Sequence, residues 1–323
     1  MRMIVILFIF ALNHTVSADT AFVQAYQEQF SEEYPYRVHD VPHGDFNLHA
    51  REFLGSKENG DEIAIVMMHG FPDNLHIYDR VIPSLSHSAR VIVFDFLGWG
   101  ESDKPQGFEY SVEDQQQQLT HVVEYFDLQK VVLVMHDMAG PPSINWALVN
   151  EAKVLGLVLL NTYYGPMRAL RAPEAINFYA SSIPDRETIV DIMQTYDFLW
   201  ESGLRDQLSR FFVQDEPRAT FTKLFVTQSL SIRPAFFNLS EHLFAEVAAR
   251  GVKQAIELPA FSKPVAIIFG GQDPYLNPSI ANRFHELFTN SRLHLVKDAG
   301  HFVQLDQPNE TADLIKSFID ELN

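Results

Sequence analysis

Apolar residues in this chain come in short blocks, all unbroken but the last, which His294 interrupts. Ile63 to Met68, Val91 to Phe94, Val131 to Val134, Val154 to Leu160, Val265 to Phe269 and Leu293 to Val296 each read as a strand. An unbroken block is what a strand needs when helices cover both of its faces. Leu48 to Phe53 instead alternates between apolar and polar and predicts an antiparallel edge strand. Between the blocks, Val112 to Tyr125 and Ile280 to Phe288 carry apolar residues at helical spacing. Strand and helix in alternation predict an α/β fold with a mostly parallel sheet and helices on both faces.

The rhythm breaks between about Thr162 and Leu258, where helical periods continue without any buried strand block. Residues 162–258 are therefore expected to form a helical cap inserted into a core of residues 19–161 and 259–323. The cap's aromatic stripe (Phe211, Phe212, Phe221, Phe225, Phe236, Phe237) is expected to be mainly cap core, with part of it facing a pocket below. The first residues are expected to lie outside the fold. Arg2, the apolar run Ile4 to Leu12 and Val16-Ser17-Ala18 have the layout of a signal peptide, predicting cleavage near Ala18 and export to the periplasm or beyond. That run is too short for stable membrane insertion.

Composition narrows the function classes. The chain has 323 residues, 46% of them hydrophobic, enough for one large α/β domain with an insertion. It contains no cysteine, which removes disulfides and thiol chemistry. A net charge of −18 without a basic cluster disfavours nucleic acid as a partner. No metal or cofactor is expected, and the pattern specifies no oligomeric state.

The block Val131 to Val134 leads into Met135-His136-Asp137-Met138-Ala139 and then Gly140-Pro141-Pro142. A strand ending in x-nucleophile-x-small-Gly before a helix is a nucleophile elbow, and here the central residue is Asp rather than Ser. The exchange changes the chemistry. A carboxylate attacking an acyl carbon would give an anhydride, whereas attack on an sp3 carbon gives a hydrolysable alkyl ester. Epoxides and carbon–halogen bonds are the matching substrates.

Three further segments follow strand blocks, where an open parallel sheet places its site. His69-Gly70-Phe71-Pro72 can turn the Phe71 amide toward the elbow, where it would join the Met138 amide as an oxyanion hole. Asp273 follows Val265 to Phe269 and can orient a histidine; His301, in Gly300-His301-Phe302, is the candidate general base. Asn161 and Asp298 are competing positions for the acid, but an amide cannot stabilise imidazolium as a carboxylate does, and Asp273 is preferred.

With these residues assembled, the chain resembles the epoxide hydrolase branch of the α/β-hydrolase superfamily, including its secreted subgroup. The resemblance rests on His69-Gly70-Phe71-Pro72, Gly98-Trp99-Gly100-Glu101-Ser102-Asp103-Lys104-Pro105, His136-Asp137 and Gly300-His301. It implies an eight-stranded, mostly parallel sheet under the cap. It also implies Asp137 as nucleophile, His301 as water-activating base with Asp273 as its partner, and the Phe71 and Met138 amides as oxyanion donors. The implied substrate is a small apolar epoxide, opened to a diol. Cap donors to the epoxide oxygen are sought among Tyr163, Tyr164, Tyr179 and Tyr196. Tyr179 with His242 is the favoured pair, and Tyr164 and Tyr196 are the alternates.

Haloalkane dehalogenases share the Asp, acid and His set, and the chain resembles them too. They cradle the leaving halide with side-chain N–H groups at the positions held here by Met138 and Phe71, which have none. Should halide chemistry occur, Trp200 in the cap is the first donor to test. A non-catalytic binding protein on the same fold is the third reading, opposed by the intact Asp, Asp and His set.

Overall fold

The coordinates are a computed structural model describing residues 19–55, 63–87, 89–180 and 184–322. The candidate export signal, residues 1–18, lies outside them. The strands are β1 (Arg37–His43), β2 (Phe46–Phe53), β3 (Ala64–Met68), β4 (Arg90–Phe94), β5 (Val131–Asp137), β6 (Val154–Thr162), β7 (Val265–Gly270) and β8 (Ser291–Val296). They form one eight-stranded sheet in the order β1-β2-β4-β3-β5-β6-β7-β8. β1, β2 and β4 pair antiparallel in succession, and all later pairs are parallel.

The unbroken blocks became the strands with helices on both sides. Every residue of β3 and β7 is buried, and β5 is buried up to its last residue. Two edge expectations need correcting. β2 is not an edge strand, because β1 pairs outside it through Arg37↔Glu52 to His43↔Phe46. The polar sequence of β1 concealed it, as edge strands often do. Leu293 to Val296 lies in β8, the opposite edge, where Leu295 is 46% exposed.

Core helices are α1 (residues 19–33), α2 (Ile82–Ser86), α3 (Val112–Tyr125) and α4 (Gly140–Val149). The start of α3 is fixed by Ser111, whose side chain accepts from the Asp114 amide. Between β6 and β7 run α5 (Glu174–Tyr179), α6 (Arg186–Thr195), α7 (Asp197–Ser209), α8 (Asp215–Thr227), α9 (Arg233–Ala249) and α10 (Gly251–Ala260). The core then closes with α11 (Pro278–Leu287), α12 (Val303–Asp306) and α13 (Pro308–Asp320).

The aromatic stripe joins the inserted helices to the sheet beneath. Phe236 stacks on Phe71 with centroids 5.0 Å apart, and Phe212 meets Phe302 at 4.8 Å. Among the described residues no helix is long and apolar enough to cross a membrane.

After β3 the chain steps to β4 on one side, then returns through α3 to β5 on the other. The crevice above β3 and β5 is the switch point where open parallel sheets bind ligands.

Candidate active site

Asp137 ends β5 with φ 47°, a left-handed conformation that non-glycine residues avoid. Several contacts hold it there. The Thr162 hydroxyl donates to the Asp137 carbonyl at 2.6 Å, and the ladder with β6 shifts register at His136/Asp137. Gly140 lies so close to Thr162 and Tyr163 that a Cβ there would overlap both. Pro141 and Pro142 follow in the first turn of α4, where their missing N–H groups cost nothing. The elbow thus presents the Asp137 carboxylate to the crevice.

His301 faces it. Its Nδ1 donates to Asp273 Oδ2 at 2.8 Å, while its Nε2 lies 3.9 Å from Asp137 Oδ1. The first contact fixes the ring orientation. The second is too long for a hydrogen bond and leaves a water access to both groups. Asp273 also accepts from the amides of Tyr275 (2.8 Å) and Leu276 (3.1 Å) and from Asn161 Nδ2 (2.9 Å). Asn161, the rival position for the acid, is therefore a neighbour of Asp273, and its Oδ1 accepts from the Gly270 amide at 2.8 Å. Asp298, the other rival, meets Gln272 at an exposed site.

Asp137 and His301 are both shifted upward, which favours the imidazolium of His301 and opposes ionisation of Asp137. Burial lifts Asp137 to about 7, with the charges of Asp73 and Asp273 adding and those of His301 and the Met138 amide hydrogen bond opposing. Burial alone would lower His301, but the Asp273 charge and hydrogen bond outweigh it. With the charges of Asp137 and Asp73 they raise it to about 9. Burial also opposes ionisation of Asp273, yet the charge and hydrogen bond of His301, with the Tyr275 amide and Asn161, hold its carboxyl below the ordinary value.

The His69-Gly70-Phe71-Pro72 turn comes up beside the elbow. The His69 Nδ1 donates to the Gly70 carbonyl at 2.7 Å, and its Nε2 accepts from the Phe96 amide at 3.0 Å. Gly70 donates its amide to Asp73 Oδ1 at 2.7 Å, and a Cβ on it would lie 2.7 Å from the Asp137 Cβ. Only glycine lets the turn approach this closely. Phe71 lines the same cavity as Asp137, and the Met138 amide bonds the Asp137 carboxylate. Of the two candidate oxyanion donors, the Met138 amide is thus in contact with the nucleophile, and Phe71 borders the same space.

A cavity of about 480 Å³ lies between sheet and inserted helices, lined by Asp137, His301, Phe71, Tyr163 and apolar residues such as Met167, Ile176 and Leu276. It corrects the choice of cap donors. Tyr164 turns away, donating to Asn145 Oδ1 at 2.8 Å in the core. Tyr179 is packed edge-on against Phe236 and Phe237 and does not line the cavity. Tyr196 is 51% exposed just before α7. His242 is exposed on α9, its Nδ1 donating to the Asn238 carbonyl, and borders a separate small chamber. The tyrosine beside Asp137 is Tyr163, directly after β6. Burial, then the charge of Asp137, raises its hydroxyl well above an ordinary phenol. Of the aromatic stripe, Phe211 lines this cavity; its ring lies 4.7 Å from that of His301, and its carbonyl accepts the His301 amide.

Sequence reasoning missed three supporting groups. Asp73, fully buried under the site, is pushed up by that burial and faces His136. His136 donates Nε2–H to the His301 carbonyl at 3.0 Å. Asp306 accepts from the Gly300, Val213 and Gln214 amides at 2.8, 3.0 and 3.0 Å, joining the His301 loop to the inserted helices. His136 stood inside the elbow motif without a role, and Asp73 and Asp306 were signalled only by lying one and five residues from Pro72 and His301. Among the described residues no group of three or more His, Cys, Asp or Glu is placed to hold a metal ion.

Comparison with known proteins agrees with this geometry at the level of the fold. The family model for the alpha/beta hydrolase fold matches residues 63–308. Haloalkane dehalogenase 2 of Mycobacterium tuberculosis is 27% identical over 80% of this chain and 88% of its own length. A membrane phospholipase A superposes with TM-score 0.74 at 19% identity, covering 100% of this chain and 99% of that one. Epoxide hydrolase CorEH superposes with TM-score 0.70 at 20% identity, covering 89% and 100%.

Proposed function

This chain belongs to the α/β-hydrolase family, and we propose that it is an epoxide hydrolase working through a covalent ester on Asp137. The observation that carries the reading is the composition of the catalytic crevice. The Asp137 carboxylate, an imidazole 3.9 Å away and the Tyr163 phenol share one cavity, whose second tyrosine, Tyr275, already donates its hydroxyl to Glu174 at 3.0 Å.

The proposed steps balance in protons. Asp137 Oδ attacks one ring carbon and the carbon–oxygen bond breaks. The ring oxygen takes the proton donated by Tyr163, whose raised affinity for its proton suits a hydrogen-bond donor that recovers it at once. Between about pH 7 and 9 the resting pair holds carboxylate and imidazolium. The imidazolium reprotonates the Tyr163 oxygen, so the proton gained by the substrate is the one lost from His301. His301 is then neutral. It removes a proton from water, which attacks the ester carbonyl, and the Phe71 and Met138 amides hold the oxyanion. The oxyanion collapses and the acyl carbon–oxygen bond breaks. The leaving alkoxide takes the remaining proton of the added water, and release of the diol leaves Asp137 as carboxylate and His301 as imidazolium.

A second reading, halide release from a haloalkane, is favoured by the mycobacterial relative's name. Side-chain N–H groups for a halide would come from Asn177, Arg168 or Arg171 in the cavity lining rather than from tryptophan. None of the chain's three tryptophans lines the cavity, and Trp200, the donor to test first, already gives its N–H to Ser229 Oγ at 2.8 Å. Incubating the protein with alkyl and aryl epoxides, and separately with bromo- and chloroalkanes, decides between them. Diol is expected from at least one epoxide, with little halide. Bromide release without diol would overturn the proposal. His301→Gln is expected to accumulate the ester, detected as a mass adduct on the peptide carrying Asp137. Export is part of the same proposal, and the exported protein is expected to begin near Asp19.

A further inference from the structure

A second chamber of about 40 Å³ adjoins the catalytic crevice on the far side of Phe71, Tyr163 and Leu243, three residues that border both spaces. Like the main cavity it is mostly apolar, with a few polar groups in its wall. It is walled by Gln115 and Met138 from the core and by Glu246 and Arg250 from the inserted helices. Arg250 is already committed: its Nε donates to the Tyr164 carbonyl at 2.7 Å and its Nη1 to Glu246 at 2.8 Å.

Gln115 is not. It is 1% exposed, its Nε2 rests on Met138 Sδ at 3.4 Å, and its Oε1 has no partner. Three residues on, the equally buried Gln118 is satisfied at both ends, accepting from the Leu97 amide and donating to Asp114. A buried acceptor without a donor is destabilising unless something brings one. The chamber is large enough for a water molecule or a hydroxymethyl group and too small for an alkyl chain.

We infer that this chamber is the subsite for a short hydroxyl-bearing substituent on the epoxide, the hydroxyl donating a hydrogen bond to Gln115 Oε1. The reading rests on the proposed epoxide chemistry and narrows its substrate class to 2,3-epoxy alcohols. The long apolar substituent lies in the main cavity, and the CH2OH group passes between Phe71 and Tyr163. Because Met138 borders the chamber and its amide bonds Asp137, the hydroxyl sits on the elbow side of the reacting carbons.

The test compares a 2,3-epoxyalkan-1-ol with the 2,3-epoxyalkane of equal tail length, measuring kcat/KM for each with the full-length protein and with Gln115→Leu. The unaltered protein is expected to favour the epoxy alcohol by about tenfold, the worth of one buried hydrogen bond. In Gln115→Leu that ratio is expected to fall to about one. The ratio is taken within each protein, so partial loss of folded variant cancels. A ratio of one or less in the unaltered protein overturns the inference without any variant. An undiminished ratio in Gln115→Leu also overturns it and leaves the chamber to solvent. Diol from neither substrate overturns the epoxide reading, and this inference with it.

Discussion

Asp137 and His301 hold each other's protonation states, so their titration reports the mechanism. Asp137, lifted to about 7, must be ionised to attack. The rate of ester formation is expected to fall as pH drops through that value, and kcat/KM for an epoxide from pH 5 to 9 checks it. Forming the ester removes the Asp137 charge, one of those that raise His301 to about 9. In the ester His301 is therefore expected to titrate below 9, and ester breakdown to reach half its maximal rate below that pH. Single-turnover measurements across pH 6 to 10 read this directly; a midpoint at 9 or above would mean that Asp137 does not set the basicity of His301. Tyr163 is tested at the same scale. Tyr163→Phe keeps the ring and removes the donor, and should slow ring opening by about 10²–10⁴. Tyr179→Phe, buried against Phe236 and Phe237, should leave the rate near that of the unaltered protein.

The elements bring these residues together through turns that tolerate little change. Gly70→Ala would place a methyl 2.7 Å from the Asp137 Cβ and 2.8 Å from His136 Nδ1, both buried. It is expected to destabilise the protein by about 1–3 kcal/mol and displace the carboxylate, readable as a lower urea midpoint with a larger loss of kcat. Asp306→Ala would leave three amides from two segments without their acceptor. It is expected to lower stability by about 3 kcal/mol in the same titration. At this scale the sequence was readable wherever one period dominated. Continuous apolar blocks marked β3, β5 and β7, and polar residues in the turns just after strands marked Asp137, Asp273 and His301. β1 escaped because an edge strand carries polar residues on its open side, and α1 because its burial comes from a single face. The cap tyrosines were misassigned because helical spacing does not tell which way a short loop turns a ring. Tyr163 and Tyr164 are adjacent, yet one faces the crevice and the other Asn145.

For the whole molecule, the arrangement of core, inserted helices and charge sets what can enter. The 480 Å³ cavity has Asp137 and His301 at its inner end, apolar walls from Met167, Leu170, Ile176 and Val247, and the exposed Arg168 and Arg171 among its outer residues. A tail extending outward from the reacting carbon buries one methylene after another against those walls, each worth about 0.8 kcal/mol. Across a series of unbranched epoxides, kcat/KM is therefore expected to rise about fourfold per methylene and to level off once the tail reaches the arginines. The substrate is neutral, so the net charge of −18 should neither steer nor repel it, and the slope should be the same at low and high salt. A series that is flat from the shortest member would place the tail outside this cavity. A slope that collapses with added salt would mean that charge, rather than apolar contact with the inserted helices, draws the substrate in.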